Sequence, residues 1–175
     1  MSESLTLRAG SLPEPLKVLS IRQPWAWLIV RPDLAAGARA LATSNGEFKD
    51  IENRSWSTRY RGRVLIHASH TMTRSDYDNA TRFLDVGPPA RLGITLPGRE
   101  ALERGGVVGI GTLTQCVAPG CRRSPWHVDG MYGFQIANAR PLPFIACKGA
   151  LSFFEPHRHL LDELERLQVL TAPTP

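Results

Sequence analysis

Residues 49–68 decide the fold, and they read KDIENRSWSTRYRGRVLIHA. The first part of this segment, up to residue 63, interleaves a lysine, a glutamate and four arginines with a tryptophan and a tyrosine. The part that follows is apolar, and its alternation predicts a strand over residues 63–69 in which His67 shares a face with Arg63. A core-forming segment has little use for so much charge. Guanidinium groups match phosphate oxygens and aromatic faces accept nucleobases, so the segment is typical of a nucleic-acid-binding surface.

The distribution of charge along the chain supports the same interpretation. The whole sequence of 175 residues has a formal net charge of +5. Residues 17–74 hold ten Lys and Arg against four Asp and Glu, a net charge of +6, so the rest of the chain is slightly acidic. Basic character concentrated in one third of a sequence is expected of a protein that binds a polyanion. The alternative is a solvated basic surface that binds nothing.

Length and composition predict one domain of ordinary size. We expect a flexible leader over residues 1–16, a single domain over 17–170 and a short tail over 171–175. No apolar run approaches the roughly twenty residues that span a bilayer, and no secretory signal is evident at the N-terminus. The expected location is therefore cytoplasmic, with no membrane partner.

The pattern of short strands and Gly/Pro turns predicts an α+β fold, mainly β, built as a small β-barrel flanked by short helices. Strands are expected at 18–21, 51–56, 107–114 and 132–137, in addition to 63–69. Helices are expected at 23–30, from the capping residue Thr73 to about Leu84, and at 157–170 with a leucine stripe. Residues 31–50 are expected to form a loop. The glycines of 107–114 indicate a tight bend or a close backbone approach.

Three ordered blocks of this sequence resemble the ASCH family, a branch of the PUA-like superfamily. They are residues 20–26 (SIRQPWA), 49–56 (KDIENRSW) and 61–68 (RGRVLIHA). The glycine-rich strand at 106–114 and the segment 141–149 extend the resemblance over most of residues 17–155. It implies a PUA-like β-barrel, a cleft beside the first helix, and a role in handling RNA or a related nucleic acid.

The resemblance also implies an alternative, enzymatic function. Some small bacterial members are amidohydrolases that act on acetylated cytidine through a lysine, a threonine and a glutamate, and others look like ribonucleases. Lys49 matches the family lysine, whereas Glu52 stands where the amidohydrolases have their threonine nucleophile. A threonine-based acyl transfer is therefore disfavoured.

The candidate binding residues are basic, acidic and aromatic side chains from several predicted elements. They are Trp25, Lys49, Glu52, Arg54, Trp56, Arg59, Arg61, Arg63, Trp126 and Lys148. Lys49, Arg54 and Arg61 are expected to contact phosphate, Glu52 to bond a base edge or a ribose hydroxyl, and Trp56 or Trp25 to stack on a base.

Each candidate also has an ordinary structural interpretation. The charges of Lys49, Glu52 and Arg54 could form a local ion pair. The arginines of residues 59–63 could belong to an exposed hairpin, and at least two of the four tryptophans are expected in the core. A histidine within a barrel strand, such as His67, is more often a hydrogen-bonded wall residue than a catalyst.

Two function classes besides RNA binding remain open. In an enzyme, a metal-independent ribonuclease or an amidohydrolase, Lys49, Glu52 and His67 would be catalytic. In a protein-interaction module, apolar surface is expected near residues 86–98 or 118–130. No metal or cofactor is expected, because no phosphate-binding glycine loop, nucleophile elbow or spaced metal-ligand cluster is present in the sequence. The three cysteines are expected to be reduced thiols.

Overall fold

The computed structural model describes residues 15–122 and 124–170, which form one curled six-stranded sheet with four α-helices. The strands are β1 (Lys17–Ile21), β2 (Ile51–Arg54), β3 (Gly62–Ala68), β4 (Gly106–Val117), β5 (Tyr132–Ala146) and β6 (Phe153–Phe154). The helices are α1 (Trp25–Val30), α2 (Ala36–Asn45), α3 (Arg74–Val86) and α4 (Arg158–Arg166). The fold is thus a mainly β α+β fold, as predicted. The expected tail and all but the last two residues of the expected leader lie outside the described residues.

The sheet has the strand order β2-β5-β4-β3-β1-β6 and curls into a half-barrel. β1 and β3 pair in parallel, and the other neighbouring strands are antiparallel. The register shifts once between β3 and β4 and three times between β4 and β5. Such irregularities bend a strand and increase its twist, so they account for the curl.

Side chains connect the two ends of the curled sheet. At the end of β2, Arg54 Nη2 donates to the carbonyl oxygen of Ser20 in β1 at 2.7 Å. The ring centroid of Trp56 lies 4.9 Å from that of Phe134 in β5 and 5.7 Å from that of Phe153 in β6. β2 and β6 are the outer strands, so these contacts cross the gap that the backbone hydrogen bonds leave open.

Helices cover both faces of the central strands, and residues 64–68 of β3 are therefore all buried. On one face Val64 and Ile66 pack in a cluster with Ile29 of α1. On the other face Leu65 packs in a cluster with Leu160 of α4. The predicted leucine stripe of the closing helix is confirmed, because its members at 160 and 164 are buried and the one at 167 packs against the same cluster.

The expected close backbone approach occurs where α1 crosses β4. A Cβ on Gly109 would lie 2.4 Å from Cγ1 of Val30 and 2.6 Å from the carbonyl oxygen of Arg140. No side chain fits in that space, so a glycine at this position lets the helix sit directly on the sheet. The capping role of Thr73 is also confirmed, since its hydroxyl accepts from the backbone N–H of Asp76 in a complete capping box.

Two predicted elements are corrected by the structure. Residues 31–50 are not simply a loop, because they contain the ten-residue helix α2. Its small residues are largely alanines, which have the highest helix propensity, and Gly46 ends it in the left-handed region with a φ of 73°. β5 continues well past the predicted end at residue 137. β2 pairs only with residues 132–135 of β5. Pro141 and Pro143 lie beyond this pairing, where that edge of β5 has no neighbouring strand that needs a backbone N–H.

Candidate functional site

A cleft of about 360 Å³ lies between α1, β2, α3 and the loop that precedes β5. It is lined by Trp25, Lys49, Glu52, Asn53, Asn79, Phe83, Trp126 and Val128. The structure therefore brings together four of the residues that the sequence singled out, those at 25, 49, 52 and 126. Volumes of this order are typical of small-molecule sites, which span roughly 300–1,000 Å³.

A buried ion pair lies at the base of the cleft. Lys49 is 3% exposed and Glu52 is 8% exposed. Lys49 Nζ donates to Glu52 Oε2 at 2.6 Å and to the carbonyl oxygen of Ile51 at 2.6 Å. Residue 49 lies just before β2 and residue 52 lies within it. The backbone at the start of β2 therefore brings the two side chains together. Burial on this scale makes each charge depend on the other.

Arg54 completes the charged group from behind the cleft. Its Nη2 lies 3.3 Å from Glu52 Oε1 and donates to the carbonyl oxygen of Ser20 at 2.7 Å. Glu52 therefore has a cationic neighbour at each carboxylate oxygen. Lys49 and Arg54 both point toward the Glu52 carboxylate and toward backbone carbonyl oxygens. In this arrangement they hold Glu52 in place and are not directed at a phosphate group outside the protein.

Aromatic side chains form the wall above the ion pair. The indole of Trp25 is half-buried, and Lys49 Nζ lies 5.7 Å from its ring centroid. Phe83 of α3 meets Trp25 edge to face at 5.7 Å and lies 6.2 Å from Trp126. Trp126 is only 1% exposed, and its indole N–H donates to the carbonyl oxygen of Gly46. Trp25 is therefore a partly exposed aromatic face of this cleft, and Trp126 is a buried side chain of its wall.

Two asparagines give the cleft its polar rim. The side-chain amide of Asn53 donates to the carbonyl oxygen of Trp126 at 2.9 Å and accepts from the backbone N–H of Val128 at 2.9 Å, which fixes the loop before β5. Asn79 is exposed on α3, one turn before Phe83. Sequence reasoning missed four of the cleft residues, namely Asn53, Asn79, Phe83 and Val128. The spacing of Asn79 and Phe83 on one face of a predicted amphipathic helix was the available signal.

The structure does not bring the remaining basic and aromatic candidates of residues 54–63 into this cleft. Trp56 is not among the lining residues, because its ring packs edge-on between Phe134 and Phe153. Arg61 Nη1 donates to the carbonyl oxygens of Thr58 and Tyr60, at 3.1 and 2.6 Å. The other two arginines also lie outside the cleft lining. Arg59 is exposed, and Arg63 is half-buried with Nη1 3.5 Å from the carbonyl oxygen of Leu170.

His67 and Lys148 line a second cleft, separate from the first. His67 is 2% exposed and hydrogen-bonded through both ring nitrogens. Its Nε2 lies 3.1 Å from the carbonyl oxygen of Cys147, and its Nδ1 lies 3.1 Å from Ser20 Oγ. The carbonyl can only accept, so Nε2 carries the proton and the Ser20 hydroxyl donates to Nδ1. His67 is therefore a hydrogen-bonded residue within a strand, as its structural interpretation predicted. It does not line the cleft of Lys49 and Glu52.

Protonation of His67 should destabilise the fold. Burial lowers the pKa of this imidazole below its usual 6.5, although its hydrogen bond with Cys147 partly opposes the shift. A histidine whose pKa is lower in the folded than in the unfolded protein stabilises the fold at a pH above its unfolded pKa. This stability is lost as the pH falls through the pKa of the folded state. We expect the free energy of unfolding to decrease below about pH 6.5, and less so in His67→Gln. Urea unfolding at a series of pH values checks this. His159→Gln, at an exposed position, should keep the wild-type pH dependence.

The described residues contain no group of three or more His, Cys, Asp and Glu placed to hold a metal ion. Cys116, Cys121 and Cys147 are free thiols, and burial raises the pKa of the Cys147 thiol. Across residues 15–122 and 124–170, no helix has the length and apolar character needed to cross a membrane.

No protein-family model matches this sequence, and no curated protein matches it at a significant level.

Proposed function

We propose that the protein is a PUA-like RNA-binding protein of the ASCH type, with a single domain over residues 17–170, which takes an unstacked nucleobase into the cleft beside α1. The observation that carries the proposal is the combination, in one cleft, of the half-buried indole of Trp25 with the paired Lys49 and Glu52. Indole faces stack on nucleobases without regard to sequence. A carboxylate beside such a face supplies the acceptor that reads an exocyclic amino group.

The charged group favours a base with an amino substituent. Glu52 is held by Lys49 on one oxygen and Arg54 on the other, so its carboxylate is fixed in position beside the cleft. An ionised carboxylate can only accept hydrogen bonds. Cytosine and adenine present an amino donor, and uracil presents a carbonyl at the corresponding position. The ligand class is therefore RNA, or a nucleotide-containing molecule, with an exposed amino-bearing base and no cofactor.

Single-stranded RNA should bind more tightly than the same sequence in a duplex. A base can enter a cleft of about 360 Å³ only after it leaves the stack, and this costs a few kcal/mol when the base is paired. We expect about a tenfold or larger preference for the single strand, measured by fluorescence anisotropy with labelled oligonucleotides over a salt series. Equal affinity for both forms, or affinity that salt does not change, would contradict the proposal. Replacement of cytosine by uracil throughout the single strand tests the role of Glu52.

The runner-up function is a nuclease or amidohydrolase that uses the same cleft. The observation that favours it is the 2.6 Å contact between the buried Lys49 ammonium and Glu52, an arrangement in which a carboxylate can serve as a base once substrate excludes water. Glu52 stands at the position of the amidohydrolase threonine, so a ribonuclease is the better of the two reactions. Labelled RNA incubated with the protein in EDTA discriminates between the functions: binding without cleavage supports the RNA-binding proposal, whereas cleavage that Glu52→Gln abolishes supports the enzyme.

A further inference from the structure

The second cleft, of about 580 Å³, lies where β1 and β3 meet the loop that follows β5. Its lining includes Ser20, Arg22, His67, His70, Lys148 and Gly149. Lys148 is one of the candidate binding residues from the sequence, and it stands next to Gly149. The structure adds Arg22, from the segment between β1 and α1, to the same cleft.

The charge of this second cleft differs from that of the first. Among the described residues, its lining contains two cationic side chains, Arg22 and Lys148, and no aspartate or glutamate. Lys148 is exposed, and the side chain of Arg22 is 62% exposed. In the first cleft, by contrast, Glu52 engages both Lys49 and Arg54. The second cleft therefore holds two exposed cationic side chains, of which Arg22 also contacts Asp76.

Arg22 pairs with an acid, Asp76, that also caps helix α3. Arg22 Nη1 lies 3.2 Å from Asp76 Oδ1. The other oxygen, Oδ2, accepts from the backbone N–H and the hydroxyl of Thr73, each at 2.8 Å. Burial works against ionisation of Asp76, but these hydrogen bonds and Arg22 outweigh it, so the pKa of Asp76 lies below its usual value. Asp76 thus orients one edge of an exposed guanidinium group while serving chiefly as a helix cap.

Gly149 gives the cleft its shape. A Cβ at this position would lie 2.5 Å from Cε1 of His67 and 2.9 Å from Ser20 Oγ. The loop backbone therefore rests directly on the His67–Ser20 pair, with the neighbouring Lys148 at the cleft. A side chain at this position would displace the loop, so the glycine keeps Lys148 at the edge of the cleft.

The two clefts are joined through Ser20 and α3. The carbonyl oxygen of Ser20 holds Arg54 behind the first cleft, while its hydroxyl faces His67 in the second. On α3, Asp76 orients Arg22, and Asn79 lies one turn further along the same helix, at the first cleft. The two clefts therefore share Ser20 and neighbouring turns of α3.

We propose that the second cleft is an anion site that holds a phosphate group of the ligand whose base occupies the first cleft, with Arg22 and Lys148 as the direct contacts. The proposal rests on the proposed function for the identity of the ligand. It assigns phosphate binding to these two residues, in place of Lys49, Arg54 and Arg61. His67 lines the cleft without contacting the phosphate group, and its hydrogen bond fixes the position of Ser20.

The test compares Arg22→Ala/Lys148→Ala with a control that loses the same charge. Arg158→Ala/Arg166→Ala removes two arginines of α4 whose side chains are 89% and 68% exposed. For single-stranded RNA we expect the test variant to bind at least about tenfold more weakly, and its salt slope to fall by about 0.7 for each phosphate group that the protein no longer neutralises. The control should bind as wild type does. Equal affinities of the test and control variants would overturn the proposal.

Two further measurements separate failure of this inference from failure of the proposed function. Titration of the wild-type protein with inorganic phosphate should shift the imidazole NMR signals of His67 or His70, and the absence of any shift at either histidine would overturn the anion site. If Trp25→Ala weakens RNA binding while Arg22→Ala/Lys148→Ala does not, the base cleft stands and the second cleft fails. If neither variant changes the affinity for RNA, both fail.

Discussion

Glu52→Ala should lower the free energy of unfolding by about 3–5 kcal/mol, because it leaves the ammonium group of Lys49 buried without its counter-ion. Lys49 is 3% exposed, and after the substitution its remaining acceptor is the carbonyl oxygen of Ile51. A carbonyl dipole cannot replace a carboxylate at 2.6 Å. Urea unfolding monitored by circular dichroism measures the change, provided that the slope with denaturant stays that of wild type.

The reverse substitution provides the matched comparison. In Lys49→Met, Glu52 keeps Arg54 at 3.3 Å, so a carboxylate with one cation remains. We therefore expect a smaller loss, about 1–3 kcal/mol. The double variant Lys49→Met/Glu52→Leu removes both buried charges but leaves Arg54, 21% exposed, without its carboxylate, so it should recover only part of the stability that Glu52→Ala removes. If Glu52→Ala costs less than about 1 kcal/mol, or no more than Lys49→Met, then the pair is hydrated and the description of the cleft base is wrong.

The same double variant separates structure from function at this site. An ion pair that serves stability alone can be replaced by apolar side chains of similar volume without loss of other properties. The proposed function requires the carboxylate of Glu52 at the cleft, so the double variant should discriminate poorly between cytosine and uracil in single-stranded RNA. Retained discrimination would assign Lys49 and Glu52 a purely structural role.

Much of the fold could be predicted from the sequence, because local patterns dictated it. The apolar run of β3 and the capping signal of Thr73 each specify their element without help from distant residues. The helix α2 was missed because Gly37 and the polar run Thr43-Ser44-Asn45, which favour turns, stand among its helix-forming alanines. Arg39 supplies what the local pattern lacks, since it donates to carbonyl oxygens of Val30, Arg31 and Ala139 and so ties the helix to α1 and β5.

The candidate site was only partly predictable, for a physical reason. Clustering of Lys49, Glu52 and Arg54 in sequence indicated a charged site, and these residues are indeed together. Sequence spacing cannot tell whether a cation faces a ligand or an internal carboxylate, because that depends on which strands the sheet's curl brings close. The contact of Arg54 with Ser20 joins residues 34 positions apart, and it turns this arginine inward. Arg22 is likewise oriented by a distant residue, Asp76 of α3, 54 positions along the chain.

Trp25→Ala should weaken the binding of single-stranded RNA by about 1–3 kcal/mol, or roughly fivefold to 150-fold, because it removes the stacking face of the base cleft. Trp25 is half-buried at the start of α1, where it packs edge to face with Phe83. Isothermal titration with a short cytosine-rich oligonucleotide measures the loss. The salt slope should stay that of wild type, since stacking releases no counter-ions and the phosphate contacts remain.

A conservative change at the same position decides between stacking and support of the fold. Trp25→Phe keeps an aromatic face over Lys49 and should retain most of the affinity, whereas Trp25→Leu keeps apolar volume without the face and should bind as weakly as Trp25→Ala. Trp56→Phe is the control at a distance, because Trp56 packs between Phe134 and Phe153 and lies outside the cleft lining. This control should leave RNA affinity unchanged even where it lowers stability. If Trp25→Leu binds RNA as tightly as wild type, Trp25 supports the cleft without stacking, and the base must be held elsewhere.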